Sequence, residues 1–302
     1  MEKLNNESIR IKIKNKDYDN IENWDVSGVT NMSELFKNLS DFNKDISKWD
    51  VSSVTNMYQM FYNCHDFNQN IGNWNVSNVT NMSGTFRVCH KFNQNIGNWN
   101  VNNVTDMSLM FSEAHMFNQD IGNWNVAKVT SMYCMFDNCF NFNQDVGNWN
   151  VSNVNNMFGM FHYCENFNQY IGNWNVGKVT NMREMFYDCK NFNQDIGNWD
   201  ISNVTDIRAM FSCCYEFNQD IEIWDVSNTK NINYIFSNCY KFNKNIKIWY
   251  IDEKTNSIDI FSRTYLKIPC YDKNYDNTYI KYICSSPVFC HNMDKQISYK
   301  SL

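Results

Sequence analysis

WNVSNVTNMSGTFRVCHKFNQNIGN, residues 74–98, decides the fold, because it recurs along the chain with a period of 25 residues. The tryptophans mark the beat: Trp24, Trp49, Trp74, Trp99, Trp124, Trp149, Trp174, Trp199, Trp224 and Trp249, with no insertion between any two and none elsewhere. A phenylalanine column keeps the same time from Phe36, Phe61 and Phe86 to Phe261. Self-similarity at such a period is the signature of a stacked-repeat architecture, in which one unit cannot bury its apolar face alone and its neighbours do so.

Within the quoted unit the apolar positions are Val76, Val79, Met82, Phe86, Cys89, Phe92 and Ile96. Met82, Thr85, Phe86, Cys89 and Phe92 stand at helical spacing, and Thr80 and Asn81 upstream are good N-caps, so a short helix is expected over 81–89. Phe92, Asn93, Gln94 and Asn95 read as a turn. Trp99 and Val101 alternate with Asn100, which suits a short strand over 96–101. The expected fold class is α/β: a leucine-rich-repeat-like solenoid of about ten 25-residue strand–turn–helix coils with parallel strands. Residues 1–16 are assigned to an N-terminal cap, 17–266 to the solenoid and 267–302 to an irregular C-terminal cap. The alternation IRIKIK over 9–14 suggests an N-terminal edge strand. Toward the C-terminus the repeat decays: the column Gly72 to Gly197 becomes Glu222 and Lys247, and both prolines, Pro269 and Pro287, lie in the tail.

Asparagine occupies one column without exception, from Asn43, Asn68 and Asn93 to Asn243. A side-chain amide ladder is expected there, satisfying loop backbone groups between coils. Of the twelve cysteines, seven share a column (Cys64, Cys89, Cys139, Cys164, Cys189, Cys214, Cys239) that also accepts Leu39 and Ala114. That column reads as a small apolar core site with reduced thiols. Neighbouring coils bring the sulfurs within disulfide range, but parallel stacked side chains aim away from pairing.

The net charge of −6 is mild and spread out, which argues against a nucleic-acid partner. No run approaches the ~18 apolar residues of a membrane span. The polar start MEKLNNESIRIKIKNKDYDN lacks the apolar core of a signal peptide and points to an intracellular, cytoplasmic chain.

The pattern FNQDIGNWDISNVTDIRAMFSCC, residues 192–214, and its sister copies resemble the repeats of BspA-like surface proteins of the DUF285 type, known from bacteria including mycoplasmas, and similar to arrays in large DNA viruses and protists. The resemblance covers residues 17–266. It implies a leucine-rich-repeat-like solenoid, surface display, and adhesion or protein binding; cell-surface location is thus the alternative to the cytoplasm. It supplies no catalytic residues.

No phosphate loop, nucleophile elbow, zinc-protease helix or calcium loop is present, and acidic residues form no recurring pair, so no enzyme activity or cofactor is expected. His65, His90 and His115 occupy one column and could share a metal ion, yet the column continues as Phe140, Glu165, Lys190, Tyr215 and Tyr240, as a freely varying surface position does; no metal site is assigned. Tail residues Cys270, Cys284, Cys290 and His291 match no compact zinc spacing and are left open between zinc, disulfide and unpaired. A threonine column (Thr30, Thr55, Thr80, Thr105) reads as helix capping in preference to an ice-ordering ladder.

The strand side repeats Asn, Gln, Asp and Gly almost unchanged, whereas the helix side varies. Specific recognition needs a non-uniform surface with aromatic and arginine anchors. Candidate binding residues are therefore Tyr133, Phe158, His162, Tyr163, Arg183 and Tyr187. The expected function is a non-catalytic scaffold for protein–protein interaction or adhesion. The alternative is a glycan-binding solenoid that uses the monotone Asn/Gln face through residues such as Gln94, Gln119 and Gln144.

Overall fold

The computed structural model describes residues 2–246, 249–252 and 254–264. They form one continuous right-through stack of 25-residue coils in register. Parallel single-residue bridges run Asn31, Asn56, Asn81, Asp106, Ser131, Asn156, Asn181, Asp206, Asn231 and Asn256, each pairing with the next. The C-terminal cap expected over 267–302, with its cysteines, lies outside the described residues.

The internal make-up of a coil differs from the strand–turn–helix expectation. Among the described residues the repeats contain no α-helix and no extended strand; apart from one 3-10 turn at Ile21–Asn23, each coil is a chain of tight turns. Residues 82–89 show why. The amides of Met82, Gly84, Phe86 and Val88 donate to the carbonyls of Asp106, Ser108, Met110 and Ser112 in the next coil, at 2.8–3.1 Å. The alternate amides of Thr85, Arg87 and Cys89 close turns onto Met82, Gly84 and Phe86. Every second donor thus leaves its own coil, whereas an α-helix would keep them all. Turns that close every four residues point Met82, Phe86 and Cys89 inward just as a helix would, which is why the spacing reads as helical.

Two columns of left-handed residues make these turns possible. One runs through Glu34, Gln59, Gly84, Leu109, Cys134, Gly159 and Glu184; the other through Asn38, Asn63, Val88, Glu113, Asn138 and Tyr163, with φ between 49° and 64°. A type II turn requires positive φ at its third residue. Most of these residues carry a Cβ, at a cost of roughly 1–2 kcal/mol each, which the ladder on both sides offsets.

The 96–101 stretch is likewise not a strand. Trp99 N–H closes a turn on Ile96 O at 3.0 Å, and its indole Nε1 donates 3.1 Å to Ile71 O in the preceding coil. Trp49, Trp74, Trp124, Trp149, Trp174, Trp199, Trp224 and Trp249 repeat that indole bond. Buried aromatic columns fill the interior: Phe86 stacks on Phe92 of its own coil at 4.0 Å and on Phe111 of the next at 5.8 Å. The Gly column exists because coils touch here. A Cβ on Gly122 would lie 2.5 Å from Asp145 O.

Asparagine does most of the polar work. Each interior coil uses Asn or Asp side chains to hold the amide two residues on, as Asn75 does for Ser77, Asn81 for Ser83 and Asn95 for Gly97. The expected amide ladder is present: Asn68 Oδ1 accepts from Asn93 N at 3.0 Å and from Gln94 Nε2 at 3.0 Å, and the pattern repeats to Asn243. The threonines cap no helix. Thr80 donates both its amide and its hydroxyl to Thr55 O, at 2.9 and 3.2 Å.

The N-terminal segment is a helix, α1 (Asn6–Lys14), where the alternation suggests an edge strand. Asn5 accepts the amides of Glu7 and Ser8, and Ser8 reaches back to the Asn5 amide, a capping box. Ile9 and Ile13, four apart, are buried, while Ile11 is 53% exposed. Ahead of α1, Lys3 bridges to Asp25 and Leu4 N donates to Asp25 O.

The column cysteines are buried, reduced, and donate Sγ–H to a phenylalanine carbonyl of the preceding coil, as Cys89 does to Phe61 O at 3.0 Å. Burial pushes the Cys64 thiol up to about 12, and those of Cys89, Cys139 and Cys164 well above their ordinary value.

Two outcomes follow from this packing. Trp149→Ala, in a central coil where the indole is 3% exposed, is expected to cost ~3–5 kcal/mol. Trp24→Ala, at the half-exposed N-terminal end, is expected to cost clearly less, because an end coil frays without breaking its neighbours; urea midpoints and m-values measure both, and equal losses would contradict a linear stack. The second outcome concerns alkali. A thiol whose folded pKa is raised contributes stability that is complete below its unfolded pKa and lost as pH rises through and beyond about 9. Stability should therefore fall steeply above pH 9. Cys139→Ala, the natural choice at Ala114, should reduce that slope by about 1.4 kcal/mol per pH unit; an unchanged slope in chemical-denaturation curves at pH 9 to 11 would contradict it.

Candidate functional site

The variable surface is the outer face of the turn ribbon that leads from the bridge column to the cysteine column, not a helix face. Neighbouring coils set its columns side by side. Tyr133 and Phe158 stack at 5.1 Å, and the Arg183 guanidinium lies 5.3 Å from the Phe158 ring. Glu184 holds that guanidinium through Nε and Nη2, at 3.1 and 3.0 Å. One column over, His162 Nδ1 lies 2.7 Å from Asp137 Oδ1. The imidazole meets Tyr163 edge-on at 4.5 Å and Tyr187 at 5.0 Å, and the two tyrosines meet at 5.4 Å. All six residues singled out from the sequence thus fall on one surface, in two adjoining strips.

A cleft of about 440 Å³ opens beside the second strip, bordered by His162, Tyr163, Glu184, Tyr187, Arg208 and Tyr234. Burial, then the nearby Cys213 and Tyr163, push the Tyr187 phenol up to about 12, so it is a hydroxyl donor at neutral pH. Arg208 Nε is buried and finds no acceptor among the described residues. Glu184 and Tyr234 are missed by the helical reading because they stand in the left-handed column, which a helix would not present in this way. Asp137 and Arg208 belong to the variable columns and carry a signal only once their neighbours are known.

The monotone face is different. A shallow groove of about 670 Å³ runs along it, lined by Asn93, Asn118, Asn141, Asn143, Asn166, Asn168, Asn191 and Met116. Its ladder asparagines already use their oxygens: Asn93 Oδ1 accepts from Asn118 N and Gln119 Nε2, and Asn118 Oδ1 from Asn143 N and Gln144 Nε2. Gln94, Gln119 and Gln144 therefore spend an amide donor inside the ladder.

A third group lies on the histidine column. His65, His90, His115 and Phe140 stack at 4.5, 4.4 and 4.9 Å. No helix among the described residues is long and apolar enough to cross a membrane.

Among curated proteins none matches the chain. Of solved structures, a leucine-rich cell surface protein from Faecalibacterium prausnitzii aligns over 72% of this chain and 76% of its own, at 14% identity and a TM-score of 0.37. An internalin from Listeria monocytogenes aligns over 71% of this chain and 82% of its own, at 9% identity and a TM-score of 0.20. The family model described as "Mycoplasma protein of unknown function, DUF285" matches residues 6–115, 69–174 and 157–267, three overlapping passes that take in the coils from end to end. The chain belongs to the DUF285 family of repeat proteins.

Proposed function

We propose that this protein is a non-catalytic scaffold that binds a protein partner through the aromatic and basic face built from Tyr133, Phe158, His162, Tyr163, Arg183 and Tyr187. The observation that carries this reading is the contrast between the two faces. The Asn/Gln face spends the Asn Oδ1 acceptors and a Gln amide donor of each coil on its own ladder, and offers a surface that repeats from coil to coil. The other face breaks the repeat with stacked aromatics, an arginine held flat by Glu184, and a cleft. Tyr and Arg in such settings dominate binding energy at protein interfaces. Family membership, with the surface display that the resemblance to BspA-like repeats implies, favours a cell surface over the cytoplasm. The glycan alternative is weaker because Gln94, Gln119 and Gln144 hold the ladder together.

The test is co-purification from the native cell, with the wild type, a Tyr133→Ala/Phe158→Ala/Arg183→Ala variant, and a control, Lys128→Ala, at an exposed position outside the two strips. Removing such anchors should weaken a specific partner by at least about 2 kcal/mol per hot spot, while the control retains it. A partner held equally by all three proteins would rule this face out. Saturable binding to one sugar polymer on a glycan array, undiminished in the triple variant, would move the function to the asparagine groove.

A further inference from the structure

We propose that His90, His115 and Glu113 form a site for a divalent transition-metal ion of the zinc class, bridging two adjacent coils. The three side chains are each partly buried, and one ligand atom from each lies within 4.8 Å of the others. The repeat itself creates the pair of imidazoles. His90 and His115 stand 25 residues apart, in the same column of successive coils, with rings 4.4 Å apart and nearly parallel at 5°. Glu113 enters from a different column, two residues before His115. It occupies the left-handed position that in other coils holds Asn63, Val88, Asn138 or Tyr163, with φ of 60°, and its amide is anchored to Asp137 O. Its carboxylate pairs with no lysine or arginine among the described residues.

Two imidazole nitrogens and one carboxylate oxygen are a borderline-soft set. They suit zinc and its neighbours in the transition series and ill suit magnesium or calcium, which take oxygen ligands. A tetrahedral ion about 2.0–2.1 Å from each ligand sets the ligand atoms about 3.4 Å apart. The ligand atoms, within 4.8 Å of one another, reach that spacing when the two rings tilt out of their parallel stack, because the in-plane lone pairs of parallel imidazoles do not converge on one ion. His65 stacks on the far side of His90 at 4.5 Å, away from Glu113, and lies outside the ligand set. The fourth position is left to water or to a group from a partner. This inference does not depend on the aromatic face.

Cobalt(II) and zinc(II) titrated into the full chain, followed by calorimetry and by the cobalt visible spectrum, test it. The expected result is one equivalent bound with nitrogen and oxygen ligands, abolished in His90→Asn and His115→Asn and weakened at least about tenfold in Glu113→Gln. His65→Asn should bind as the wild type does, and magnesium should not compete. Bound zinc should also raise the melting temperature of the wild type and of His65→Asn, and leave that of His90→Asn/His115→Asn unchanged. Near-ultraviolet circular dichroism of the metal-free variants reports folding independently. Binding that survives the double substitution, or carries a thiolate charge-transfer band and ignores all four substitutions, overturns the site. So does an unaffected Glu113→Gln, or a loss in His65→Asn equal to that in His90→Asn.

Discussion

Everything in this molecule depends on backbone amides that leave their own coil. In the ribbon from the bridge column to the cysteine column, every second N–H finds its acceptor 24 residues further along, and so no coil is complete without the next. A buried amide without a partner is costly, so the spacing between coils tolerates no drift. This explains the absence of insertions across ten tryptophan beats. It also explains why left-handed residues are accepted at positions occupied by Leu109 or Val88, which have no preference for that conformation. The ladder determines the backbone, and the side chain conforms.

Asparagine abundance follows from the same constraint. A chain of turns has few internal hydrogen bonds to offer its own amides, and a short side-chain oxygen supplies them locally. Asn75, Asn81 and Asn95 do this within one coil, while the Asn43 to Asn243 column does it between coils. The indoles and thiols join the scheme from inside: each bonds a carbonyl of the preceding coil while its apolar body fills the core. Polar and apolar columns therefore register the coils together.

The period, the inward columns, the reduced cysteines and the amide ladder were all legible in the sequence, because each is a property of a column and columns survive any change in local conformation. The secondary structure was not. Met82, Phe86 and Cys89 face inward at helical spacing whether a helix or a series of turns places them, and Trp99 and Val101 alternate inward in a turn as they would in a strand. The distinguishing residues were few: Gly84, Gly159 and the asparagines at 38, 63, 138 and 238, all suited to positive φ. At the N-terminus, Ile9, Ile11 and Ile13 fit a strand by alternation, but the Asn5–Ser8 capping box and the Ile9–Ile13 spacing belong to a helix. The six candidate binding residues were found through column variability. Their partners Glu184 and Asp137 needed the geometry, because contacts across coils join residues about 25 apart whose pairing depends on the turn path.

Helix α1 has a consequence beyond the first coil. From Thr55 to Lys230 the amide of this column takes a carbonyl from the coil before it; at Thr30 helix α1 stands in that place, and the Asn6 side chain supplies the oxygen, accepting from Thr30 N at 2.9 Å and Asn31 N at 3.0 Å while its amide donates to the Thr30 hydroxyl. A stack end left with such donors bare is an open edge of the kind that invites pairing with another chain. By imitating one carbonyl, Asn6 satisfies the donors that the first coil would otherwise leave bare.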